Sequence, residues 1–153
     1  MKPIRVAMAI LVALTTTAAL AQGENPQTRR EIESVFQKWD MLVAKQDVNG
    51  LLAMVDKSFT MTSANGQVMY FPEAKQQLIT GFRTMHNTRC MTTVNQIQDQ
   101  GNEVVAWITV KSNFMQKQGS RWVAMTKTMR FAETLRRSGG TWKFVASQEL
   151  PPQ

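Results

Sequence analysis

Residues 135–148, Leu135-Arg-Arg-Ser-Gly-Gly-Thr-Trp-Lys-Phe-Val-Ala-Ser-Gln148, read as two extended arms around a tight turn. The Gly139-Gly140 pair supplies a backbone free to reverse direction, and Leu135, Trp142, Phe144 and Val145 suit a pleated, half-buried surface. The same punctuation recurs upstream. Arg89 to Gln98, Val104 to Met115 and Trp122 to Leu135 are extended stretches separated by turns at Gln100-Gly-Asn102 and around Gln118-Gly119. Connections this short join neighbouring strands, so the C-terminal half is expected to be an antiparallel meander.

The segment before the meander is helical in pattern. From Arg29 to Gln46, the apolar residues Ile32, Val35, Phe36, Trp39, Leu42 and Val43 recur at three- and four-residue steps, which predicts an amphipathic helix. Asp47-Val-Asn-Gly50 breaks it, and Leu51, Leu52 and Val55 suggest a short second helix. Ser58 to Ser63 then alternates, with Phe59 and Met61 on one face, and Asn65-Gly66 signals a hairpin returning through Gln67 to Tyr70. Pro72 suits the first turn of a third helix, whose stripe of Leu78, Ile79, Phe82 and Met85 is expected to end near His86-Asn87. Helices first and strands afterwards predict an α+β domain with three N-terminal helices and a small hairpin packed on an antiparallel sheet.

The N-terminus sets the compartment. Lys2 and Arg5 precede an apolar run from Val6 to Leu14, and Ala19-Leu20-Ala21 offers small residues at a cleavage site. The run is too short to span a bilayer, so residues 1–21 are expected to be a secretory signal peptide and the protein to be exported, periplasmic or secreted. No Cys stands at the cut, and no membrane anchor is expected after cleavage. Residues 22–30 are expected to be a flexible lead-in and 31–150 a single domain. Removing the leader takes two of the 18 basic residues and lowers the formal charge from +7 to +5. The basic residues are scattered and the setting is extracytoplasmic, so nucleic acid is not an expected partner. Cys90 is the single cysteine, which excludes an internal disulfide; an inert, partly buried thiol stands beside an intermolecular bridge or a reactive thiol as its reading.

The order of elements, the stretch Asp47-Val-Asn-Gly-Leu-Leu-Ala-Met54 leading into Phe59-Thr-Met-Thr-Ser63, and the ending 135–148 resemble the nuclear transport factor 2-like superfamily, and in particular its SnoaL-like group of mostly unknown function. The resemblance implies a cone: a curved sheet closed on one side by the helices, with a pocket inside and a convex face that often forms a homodimer. It also implies where chemistry would sit. Ketosteroid isomerases of this superfamily use a Tyr on the first helix and two Asp residues, and an ungapped match places Trp39, Ser63 and Ala132 at those positions. An indole, a serine and an alanine cannot replace a phenol donor and two carboxyl groups, so isomerase chemistry of that kind is not expected. Other superfamily enzymes pair His with Asp. The one histidine, His86, lies at the expected end of the third helix, where a cation is favourable near the carbonyl end; a proton donor partnered by Asp40 is the alternative.

Residues 122–135 leave one question open. One alternating set holds Val123, Met125, Met129, Phe131 and Leu135, interrupted by Lys127 and Glu133; the other holds Thr126, Thr128, Arg130, Ala132 and Thr134. The resemblance turns the Ala132 set into the cone, giving a pocket of Trp39, Met61, Ser63, Phe82, Arg130 and Ala132 and an apolar dimer face. Alternation alone places the apolar set in the core and Arg130 in solvent. One His and one Cys without ligand spacing make no metal site, and no cofactor motif is present. The sequence thus points to an exported small-molecule-binding protein for a partly apolar, possibly anionic ligand, without assignable catalysis. An acid–base isomerase, dehydratase or cyclase and a structural dimer with a vestigial pocket are the alternatives.

Overall fold

A computed structural model describes residues 24–152. The expected leader, residues 1–21, lies outside the described residues. The first helix, α1 (Pro26–Lys45), begins inside the expected lead-in, because Asn25 caps it by accepting the Gln27 N–H at 2.9 Å and Pro26 occupies its first turn. Gln46 closes α1 in the left-handed conformation at φ 53°. Asp47 then caps α2 (Val48–Ala53) by accepting the Gly50 N–H at 2.9 Å. The sheet consists of β1 (Val55–Thr62), β2 (Val68–Tyr70), β3 (Met85–Asp99), β4 (Glu103–Gln118), β5 (Arg121–Ser138) and β6 (Thr141–Leu150), with α3 (Phe71–Thr84) between β2 and β3.

The strands lie in the order β2-β1-β6-β5-β4-β3. Strands β3 to β6 form the expected meander, but the sheet is mixed, since β1 runs parallel to β6, with Met61 beside Ser147. That parallel contact joins the two ends of the domain and could not follow from hairpin-length turns. Register shifts bend the sheet, and two of them bear on the site and its wall. Thr134 pairs with Ala146 and Leu135 with Phe144, leaving Val145 as an extra residue in β6; Asn95 is the extra residue in β3. The core beneath is closed by Ile32, Leu51, Val104 and Leu135, each at most 0% exposed.

Helix α1 is sewn to β3 by polar bonds as well as packing. The Thr28 hydroxyl donates to Asp99 at 2.8 Å, and Arg29 donates to the Val94 carbonyl at 2.6 Å. The Thr92 N–H and hydroxyl both donate to the Asp40 carboxylate at 2.8 Å. At the other side, Glu31 accepts the Trp142 indole N–H at 3.0 Å and pairs with Arg137, whose guanidinium stacks 4.6 Å from the Trp142 ring. Helix α3 differs: it buries no residue, and its stripe of Ala74, Leu78 and Phe82 is only half-buried. Its apolar face packs against the edge of the core and borders open space as well.

Candidate functional site

That space is a cavity of about 370 Å³ between the concave sheet face, α1 and α3. Helix α1 contributes Phe36 and Trp39, both packed against Phe144 of β6 with ring centroids 5.6 and 5.1 Å apart. Strand β1 gives Phe59 and Met61, and α3 gives Phe71, Leu78 and Phe82, with the exposed Lys75 and Gln77 at the rim. The wall of the sheet adds Cys90 and Thr92 from β3, Ile108, Val110 and Ser112 from β4, and Met129, Phe131 and Glu133 from β5.

The odd-numbered set of β5 therefore faces inward, with Phe131 9% and Leu135 0% exposed. This settles the question that the sequence left open in favour of plain alternation. Arg130 and Ala132, expected in the pocket, lie on the opposite sheet face beside Thr128 and Thr134, and are absent from the cavity wall. The apolar surface expected to support a homodimer is the cavity wall itself, and the outer face of β5 is mostly polar. Ser63 also lies outside the cavity: it follows β1 and holds the turn to Gln67, its N–H donating to the Gln67 carbonyl at 2.9 Å and its hydroxyl bonding to Asn65. Trp39, Met61 and Phe82 do line the cavity.

His86 and Asp40, the expected acid–base pair, are separated by their partners. Helix α3 stops at Thr84, so His86 belongs to β3, exposed, with its ring edge-on to Trp122 at 4.4 Å. Both Asp40 oxygens are occupied by Thr92, and no hydrogen bond or ion pair joins the two residues. Cys90 meets the Ser112 hydroxyl at 3.3 Å, and burial pushes its thiol up, with Asp40 adding to the rise, so it stays protonated and weakly nucleophilic.

Sequence reasoning missed Glu133. It is half-buried on the cavity wall, and burial of its carboxyl pushes the pKa from 4.5 up to about 7. The Ser147 hydroxyl donates to it at 2.7 Å and holds the rise in check. The bulge at Val145 makes this bond possible: it shifts β6 by one residue, so that Phe144 and Ser147 both face inward. The other carboxyl oxygen has no partner among the described residues. The only sequence signal was a single acid interrupting the apolar set of residues 122–135.

No family model matches the chain, and no curated protein matches it. Solved structures do. The chain is similar to a protein of Kribbella flavida at 12% identity, over 82% of this chain and 92% of that one, with a TM-score of 0.71. It is similar to a nuclear transport factor 2-like protein of Cytophaga hutchinsonii at 14% identity, over 84% and 100% of the two chains, with a TM-score of 0.66. It is also similar to a ketosteroid isomerase-like protein of Erwinia carotovora atroseptica at 11% identity, over 84% and 100%, with a TM-score of 0.66. At such identities these likenesses concern the fold: the chain has the nuclear transport factor 2-like cone, α+β with three helices on a curved mixed sheet.

Proposed function

We propose that this chain binds a small, largely apolar molecule inside the cone, with Glu133 as its polar anchor. The observation that carries the reading is one buried carboxyl in an otherwise apolar and aromatic cavity of about 370 Å³, a size and lining suited to a compact organic ligand. Leu78 and Phe82 pack against the core and still border open volume, which a vestigial, filled pocket would have closed. The expected anionic ligand loses its support, since Arg130 lies on the other face and the enclosed ionisable anchor is an acid. Export is part of the proposal and rests on the sequence of residues 1–21.

A second reading is favoured by the same residue. A carboxyl that titrates near neutrality can both take and give a proton at pH 7, which is what acid–base turnover of a bound ligand requires. Glu133 then replaces His86 and Asp40 as the proton-transferring group of that alternative. Binding is common to both readings and is tested first. Native mass spectrometry of the protein purified from its own host is expected to show a small-molecule adduct that is lost in Ala74→Phe, where an added ring on α3 fills the cavity. A wild type without adduct, or an adduct retained equally in Ala74→Phe, would refute the proposal.

A further inference from the structure

We infer that the molecule taken up by the cavity is an apolar amine, bound as its ammonium ion against the free oxygen of Glu133; this rests on the binding reading above. Three independent features of the cavity converge on it. The Glu133 carboxyl has one oxygen satisfied by Ser147 and the other open to the cavity. Among the described residues no ion pair engages it: the lining of α2, β1, β4 and β6 carries no ionisable side chain, and α1 offers only Phe36 and Trp39. Strand β3 contributes the Cys90 thiol, while α3 contributes Lys75, exposed at the rim. Asp40, behind the wall on α1, is committed to Thr92 and is of the wrong sign. The remaining lining is rich in π faces, including Phe36, Trp39, Phe59, Phe82 and Phe131, which attract an organic cation and also bury its hydrocarbon part.

Ligand classes separate on this geometry. A carboxylate or phenolate would bring a second negative charge to an acid that has no counter-ion. A neutral carbonyl could accept a hydrogen bond, but only from the protonated acid. An ammonium ion instead supplies the missing counter-charge, donates a charge-assisted hydrogen bond to the open oxygen and makes ionisation of Glu133 favourable. Binding near neutrality should therefore release a proton from the carboxyl, because the protonated side chain must ionise to form the pair.

The test is calorimetric titration with three probes of one shape: 1-naphthylmethylamine, 1-naphthylmethanol and 1-naphthoic acid. At pH 8 the amine is expected to bind about 10- to 100-fold more tightly than the alcohol, the range for a hydrogen bond to a charged group, and the acid more weakly than the alcohol. The advantage of the amine should fall about tenfold per pH unit below 7, as Glu133 becomes protonated. Glu133→Gln should lose the preference for the amine over the alcohol. Equal binding of amine and alcohol by the wild type, tightest binding of the acid, or a preference retained in Glu133→Gln would overturn the amine assignment while leaving cavity binding in place. Failure of all three probes to bind would overturn both.

Discussion

Replacing Glu133 with Gln should stabilise the protein in alkaline solution and change little in acid. In the folded chain burial holds the carboxyl pKa at about 7 against an ordinary 4.5, so between these values the native state binds more protons than the unfolded state. Wild-type stability from this group is then fully present below pH 4.5, declines as pH rises and levels off above about 7. The rise of the pKa corresponds to about 3 kcal/mol between the two plateaux. Gln keeps the shape and can still accept the Ser147 hydroxyl, but it carries no charge to desolvate. Urea unfolding of both proteins from pH 4 to 9 measures the difference, which cancels the titration of the shared acids. Glu133→Gln should gain on the wild type by about 3 kcal/mol over that range, with most of the gain between pH 4.5 and 7. A difference independent of pH, or one that shrinks as pH rises, would refute the burial of an uncompensated carboxyl.

Two further outcomes test the correction of the acid–base pair and the expected leader. Asp40→Ala should destabilise the protein by about 2 kcal/mol in urea unfolding, because it leaves the half-buried Thr92 N–H and hydroxyl without their acceptor; His86→Ala, which loses only an exposed contact with Trp122, should cost less than half of that. Intact-mass measurement of the protein recovered outside the cytoplasm should show a chain beginning at Gln22, whereas a full-length species there would exclude cleavage after Ala21.

Much of the architecture was legible because it follows from local pattern. The 3.6-residue stripe of Ile32, Phe36 and Val43 became the buried face of α1, and Asn65-Gly66 became the turn between β1 and β2, with Gly66 at φ 83°. The glycine turns at 101, 119 and 139–140 separated the strands of the meander as expected, all four at positive φ. Where one residue decided a boundary, local reasoning was less secure. The stripe of α3 ran through Met85, but the helix stops at Thr84 and Met85 already pairs with Gln116 of β4, which carried His86 into a strand.

The site depended on tertiary structure. By itself the sequence determined an α+β chain with an amphipathic first helix, a meander and an apolar alternating set in residues 122–135. Only the tertiary structure decided that this set faces a cavity, that Arg130 and Ala132 lie outside it, and that Glu133 meets Ser147 across a bulge at Val145. The physical reason is that periodicity records which side of a strand is removed from water, not what lies on that side. A wall of a cavity and a wall of a core carry the same alternation, and an acid within it reads as an interruption until the fold shows an open volume before it. Partners distant in sequence, such as β1 and β6 or Glu133 and Ser147, are set by the closure of the sheet and by one extra residue in a strand, which local propensity does not encode.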